Sequence, residues 1–115
     1  MGKYEISYEN NFPVIKVYWS DNVIIGKARF QTAAENLIET GIKKLAIDFS
    51  DFDFLSSNEI NSIIQIREKL SKKHGALWII VNTGDSEKVV EAIGLPHLLK
   101  VVNNRKELAA EWEKS

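Results

Sequence analysis

The residues with the clearest potential for chemistry lie in an acidic run after a short apolar segment. Residues 45–49 are mostly apolar and are followed by Asp51 and Asp53. Carboxylates at the carboxyl end of a buried strand lie where α/β enzymes hold divalent metals or nucleophiles. A small magnesium-dependent hydrolase that uses this pair is therefore one hypothesis. The alternative, which we favour because short motifs often match by chance, is that Asp48 and Asp51 are polar residues of the strand end and the turn.

A second polar group lies at the start of a predicted helix. Ser56 and Glu59 have the spacing of a capping box, in which the serine caps the first turn and the glutamate binds back to the cap. Local stability explains these two residues but not Ser57, whose hydroxyl lies where the helix dipole favours a phosphate. The polar side of this helix is predicted to consist of Asn58, Glu59, Asn61, Ser62 and Gln65.

Other catalytic or metal-binding arrangements find little support. The chain has no cysteine and two histidines, His74 and His97, which lack a second histidine at ligand spacing. Gly84 is a lone glycine in a loop, whereas phosphate-binding loops use several glycines in a fixed pattern. We therefore expect a protein that is not an enzyme and that needs no metal or cofactor.

Composition narrows the class of partner. Fifteen basic and sixteen acidic residues give a net charge of −1, which gives no electrostatic reason to expect nucleic acid or an acidic membrane as partner. The sequence has no signal-peptide pattern and no apolar run of the ~20 residues that a membrane helix needs. We expect a single cytoplasmic domain over residues 1–115, with no membrane insertion and with a protein as partner.

Hydrophobic periodicity predicts the element order β-β-α-β-α-β-α-β-α. The predicted strands cover 4–8, 14–19, 45–49, 77–81 and 98–102, and the two long helices cover 28–40 and 57–74. A short helix with Val89, Val90 and Ile93 facing inward and a terminal helix with Leu108 and Trp112 complete the pattern. Alternating strands and helices favour a parallel sheet, and the opening hairpin adds an antiparallel pair at its edge. The predicted fold is α/β, with one mixed sheet and about four helices.

The chain also resembles a known family. The apolar segment 45–50, followed by Phe54, Leu55, Ser56 and Ser57 at a helix start, resembles the STAS domain of bacterial anti-sigma-factor antagonists. Residues 75–82 resemble the next strand of that family, and 89–95 resemble its helix that ends in Gly-Leu. The likeness spans nearly the whole chain and agrees with the predicted order of elements.

The resemblance implies a regulatory protein that works by binding. Ser57 matches the family's phosphorylatable serine, while Ser56 and Glu59 replace its aspartate and glycine. The implied partner is an anti-sigma factor or a serine kinase of the histidine-kinase-like ATPase type, bound by a monomer or weak dimer in a partner-switching pathway that regulates transcription. The implied contact residues are Ser56, Ser57, Asn58, Glu59, Asn61, Ser62 and Gln65. An alternative, favoured by the two replacements, is a phosphorylation-independent STAS scaffold of a sensory or lipid-transport complex.

Overall fold

The computed structural model describes residues 3–9, 12–18, 29–52, 55–81 and 99–114. In these ranges the strands are β1 (Lys3–Glu9), β2 (Phe12–Tyr18), β3 (Lys44–Asp48), β4 (Ala76–Ile80) and β5 (Leu99–Val102). The helices there are α1 (Arg29–Glu39), α2 (Ser57–Lys72) and α3 (Arg105–Lys114). The predicted short helix with Val89, Val90 and Ile93 lies outside the described residues.

The strands form one sheet in the order β1-β2-β3-β4-β5. β1 pairs with β2 in antiparallel orientation, with Ile6 opposite Ile15. β2 through β5 pair in parallel. The predicted mixed sheet, with an antiparallel edge pair beside a parallel core, is thus confirmed.

The core lies on both faces of the sheet because successive strand residues point to opposite sides. On one face, Leu45 and Ile47 of β3 pack with residues of α1 and α2, such as Ile38 and Ile63. On the other face, Ala46 joins a second cluster. Four residues of β4, from Leu77 to Ile80, are at most 1% exposed, so the central strands contribute to both layers.

α3 covers the second face of the sheet with two large side chains. Its Leu108 and Trp112 pack with Val14 and Trp78. The rings of Trp78 and Trp112 meet edge to face with centroids 5.8 Å apart. A similar edge contact at 5.4 Å joins Trp112 to Phe12 of β2. The predicted inward side of the terminal helix is therefore confirmed.

The end of α2 differs from the prediction by two residues. The helix was expected to reach His74, but it ends at Lys72, and His74 adopts a left-handed conformation with φ of 59°. The backbone N–H of Gly75 then donates to the carbonyl of Leu70 at 2.8 Å, which closes a Schellman-type turn. The left-handed position of the turn is thus taken by His74 and not by the glycine. Gly75 is needed because a Cβ there would lie 2.5 Å from the carbonyl oxygen of Lys43.

Substitutions at these two positions should shift stability in opposite directions. Gly75→Ala should lower the free energy of unfolding by about 1–3 kcal/mol, because the backbone of Lys43 has to move. His74→Gly should raise it by about 0.5 kcal/mol, since relief of the left-handed strain exceeds the added entropy of the unfolded chain. Urea denaturation measures both effects. A neutral Gly75→Ala variant would contradict the close approach of the two backbone segments.

Candidate functional site

The start of α2 is stabilised by a capping box. Ser56 is the N-cap residue and has extended backbone angles, φ −84° and ψ 176°. Its backbone N–H donates to Glu59 Oε1 at 2.8 Å, and its hydroxyl donates to the same oxygen at 2.7 Å. The predicted capping role of these two residues is confirmed. Both side chains are partly buried and take part in holding the first turn together.

The neighbouring polar residues are turned toward solvent. Ser57 is the first residue of α2 and is exposed, as are Asn58 and Asn61. Ser57, Asn61 and Gln65 are spaced four residues apart, so they lie along one side of the helix. The helix thus presents a row of uncharged polar side chains that begins with a serine hydroxyl at its N-terminus.

Ser62 does not belong to this exposed row. It was expected on the polar side of the helix, but its residue is only 5% exposed. Ser62 precedes Ile66 and Leu70 by four and eight residues, and these three share the side of the helix that packs on the sheet. The hydroxyl of Ser62 is therefore placed toward the interior, and its prediction as a contact residue is wrong because the residue is buried.

A partly buried polar contact between α1 and α2 was not anticipated from the sequence. Gln31 is 2% exposed, and its Nε2 donates to Gln65 Oε1 at 2.8 Å and to Glu35 Oε2 at 3.2 Å. Lys69 Nζ lies 3.7 Å from the same Glu35 oxygen. Gln65 is exposed as a whole, but its side-chain amide joins the two helices. The signal in the sequence was the pair Gln31 and Glu35 within an otherwise apolar helix face.

The carboxylates at the end of β3 and in the turn after it form no metal site among the residues that the structure describes. Asp48 is 3% exposed, and Oδ1 accepts from the backbone N–H of Ser50 at 2.8 Å. Its Oδ2 accepts from Arg105 Nε at 2.9 Å. Asp51 is exposed, and Asp53 lies outside the described residues. Within the described ranges, no group of three or more His, Asp or Glu residues could hold a metal ion.

Arg105 connects three elements that are distant in the sequence. From the first position of α3 it binds Asp48 at the end of β3 and, through Nη1 at 2.8 Å, Glu9 Oε1 at the end of β1. Burial by itself lowers the pKa of the guanidinium, but the hydrogen bonds and charges of the two carboxylates outweigh it and raise the pKa overall. Asp48 therefore has a structural role, and no local spacing pattern could have revealed its partner.

The described strands and helices define the class of this protein. A five-stranded mixed sheet with α1 and α2 on one face and α3 on the other is a small α/β domain, and its exposed helix start is polar. The model of the STAS domain family matches residues 24–108. The chain belongs to the STAS domain family. No curated protein sequence matches it significantly.

Solved structures share this fold at low sequence identity. An anti-sigma factor antagonist from Mycobacterium paratuberculosis is similar with a TM-score of 0.76 and 16% identity, over 100% of this chain and 96% of that chain. The phosphorylated form of the Bacillus cell fate determinant SpoIIAA is similar with a TM-score of 0.65 and 12% identity, over 95% and 99%. A chain from the stressosome, a signal integration and transduction hub, has a TM-score of 0.65 and 16% identity, over 96% and 100%.

The described residues contain no helix that is long and apolar enough to cross a membrane.

The two adjacent serines should differ in their effect on stability. Ser56→Ala removes the hydroxyl bound to Glu59 and should lower the free energy of unfolding by roughly 0.5–2 kcal/mol. Ser57→Ala is the matched control and should stay within about 0.5 kcal/mol of the original protein, because Ser57 is an exposed residue. Thermal and urea unfolding of the two variants measure the difference. Equal losses would contradict the division of roles between the two hydroxyls.

Proposed function

We propose that this chain is a regulatory protein similar to anti-sigma-factor antagonists, and that it acts by binding a protein partner through the start of α2. Ser57 is the phosphorylation site that controls this binding. The proposal rests on the exposure of Ser57 at the first position of α2. The neighbouring capping box is formed by Ser56 and Glu59, so Ser57 has no capping role. The protein has no catalytic role in this proposal.

The choice of Ser57 over Ser56 follows from their contacts. The hydroxyl of Ser56 donates to Glu59 Oε1 at 2.7 Å, and the residue is partly buried, so a kinase would have to break the cap to reach it. Ser57 is exposed. A phosphate on Ser57 would add about −1.5 to −2 charges beside the helix N-terminus, which the helix dipole favours. The same charge would repel an acidic partner surface.

The proposed contact surface is the exposed row on α2 together with its first turn. Ser57, Asn58 and Asn61 form its centre because all three are exposed. Ser56 and Glu59 lie at its edge and are partly buried. Gln65 extends the row by one turn, but its amide oxygen also accepts a hydrogen bond from Gln31, so this residue serves both packing and surface.

The proposed partner is an anti-sigma factor or a serine kinase of the histidine-kinase-like ATPase type. The fold shared with an anti-sigma factor antagonist and with phosphorylated SpoIIAA supports this choice of partner class. The pathway would be partner switching in the regulation of bacterial transcription, in the cytoplasm. The near-neutral net charge of −1 is compatible with a protein partner.

A second candidate function is a phosphorylation-independent scaffold, and Glu59 favours it. Its carboxylate is held at the helix start by two hydrogen bonds from Ser56, at 2.8 and 2.7 Å. A carboxylate is thus already present two residues from Ser57, within the same helical turn, where a phosphate on Ser57 would otherwise supply the negative charge. The fold shared with a stressosome chain is compatible with this role. The two candidates differ in whether Ser57 is modified.

Phosphopeptide mapping after incubation with the cognate kinase and ATP distinguishes them. We expect phosphate on Ser57 and none on Ser56, because the Ser56 hydroxyl is bound in the cap. Ser57→Asp should release the partner and leave the unfolding free energy within about 0.5 kcal/mol, since the change is at an exposed position near the favourable end of the dipole. Phosphate on Ser56, or on neither serine while the kinase modifies another antagonist, would favour the scaffold.

A substitution in the middle of the row tests the contact surface. Asn61→Lys replaces a small side chain with a long one in the middle of the proposed contact surface. This steric obstruction should outweigh any attraction between the lysine and an acidic partner, and binding should weaken by at least about fivefold, the effect of roughly 1 kcal/mol. Ala110→Lys is the control, because it adds the same charge at an exposed position of α3 on the opposite face of the sheet. Isothermal titration calorimetry with the purified partner measures both. Unchanged affinity in Asn61→Lys would move the interface away from α2.

A further inference from the structure

The edge strand β1 exposes a row of large apolar side chains. Tyr4, Ile6 and Tyr8 are 36%, 40% and 61% exposed. They are alternate residues of one strand and so point to the same face of the sheet. That face is the one that α1 and α2 cover elsewhere, because Ile6 pairs with Ile15 of the first core. An edge strand with exposed apolar residues is a template for pairing with another strand.

We propose that β1 pairs with β1 of a second copy of this chain, in antiparallel orientation about a twofold axis through Ile6. This register places Ile6 opposite Ile6 and Tyr4 opposite Tyr8 of the second copy. The apolar rows of the two copies then form one continuous ladder on one face of a ten-stranded sheet. Direct cross-strand pairs of this type are the stabilising unit of an antiparallel sheet.

The charges of β1 select this register. With the axis at Ile6, the acidic Glu5 lies opposite the uncharged Ser7, so that no two glutamates of the strand face each other. Moving the axis to Glu5 would place two Glu5 residues opposite each other. Moving it to Ser7 would place Glu5 opposite Glu9. Like charges directly opposite one another are destabilising, so both neighbouring registers are disfavoured.

An axis between two residues is excluded for a different reason. It would place the apolar row of one copy opposite the polar row of the other, so that the two apolar rows would lie on opposite faces of the sheet. Of the registers that keep most of β1 paired, the one centred on Ile6 is therefore the one that matches both apolar side chains and charges. This register is available because Tyr4 and Tyr8 lie at equal distances on either side of Ile6 in the strand.

The size of the interface determines how stable such a dimer can be. Each copy contributes the seven residues of β1, whereas a standard interface has about 20–30 residues on each side. The dimer should therefore exchange with monomer in the micromolar range of chain concentration. β1 packs against β2 and α1, and no described strand pairs with its other edge. Pairing at that edge leaves the start of α2 uncovered in both copies. The proposed dimer is thus independent of the proposed function.

Sedimentation velocity over a range from low to high micromolar chain concentration tests the dimer. Ile6→Lys should abolish it, because two lysines would oppose each other at the axis. Ser7→Lys should strengthen it several-fold, because the introduced lysine lies opposite Glu5 of the second copy. Ala110→Lys on α3 should leave it unchanged. A monomer at all concentrations, or a weaker dimer in Ser7→Lys, would overturn the proposal.

Single cysteines test the register directly, because the chain has no cysteine of its own. Opposite residues have Cβ atoms about 4.5–5.5 Å apart, close enough for a disulfide after a small adjustment. Ile6→Cys should therefore form a disulfide-linked dimer under mild oxidation. Tyr4→Cys and Tyr8→Cys should cross-link poorly alone but well when mixed. Equal cross-linking by all three single variants would contradict the register, and far-UV circular dichroism confirms that each variant is folded.

Discussion

The burial of the two central strands on both faces is the constraint on which the rest of the structure depends. In β3, Leu45 and Ile47 enter one core while Ala46 enters the other, and all three are fully buried. Parallel strands also need long crossover connections, which helices provide. α1 and α2 therefore cover one face, and α3 has to cover the other. The polar end of β3 is completed by Arg105, which brings a positive charge to the buried Asp48.

The same constraint explains why the start of α2 is available for binding. Ile63, Ile66 and Leu70 hold the helix on the sheet, and the hydrogen bond from Gln31 to Gln65 joins it to α1. Ser56 and Glu59 provide hydrogen-bond partners for each other and for the first turn of the helix. Because packing and capping use these other residues, Ser57 and the exposed asparagines are free to vary without cost to the fold. A binding surface on a rigid helix needs this separation of structural and exposed polar groups.

Much of the fold could be predicted because its elements are set by local patterns. The apolar alternation of the first two strands and the 3.6-residue period of α1 and α2 indicated these elements, with ends that differ by one or two residues. The spacing of Ser56 and Glu59 predicted the cap, since both groups belong to a single turn. The end of α2 was less predictable: His74 takes the left-handed position, and Gly75 is needed because the backbone of Lys43 approaches it.

The sequence by itself determined the elements, the mixed sheet, the capped start of α2 and the resemblance to STAS domains. The tertiary structure alone decided which polar residues are buried, as Ser62 and Gln31 are, and which carboxylates are paired. Arg105 and Asp48 are 57 residues apart in the chain, so no local spacing could indicate their contact. Likewise, the sequence of β1 shows the usual alternation of apolar and polar residues, and only the position of β1 at the edge of the sheet leaves Tyr8 exposed. The physical reason is that burial and ion pairing depend on which segments the fold brings together, whereas periodicity and capping depend on neighbours within one or two turns.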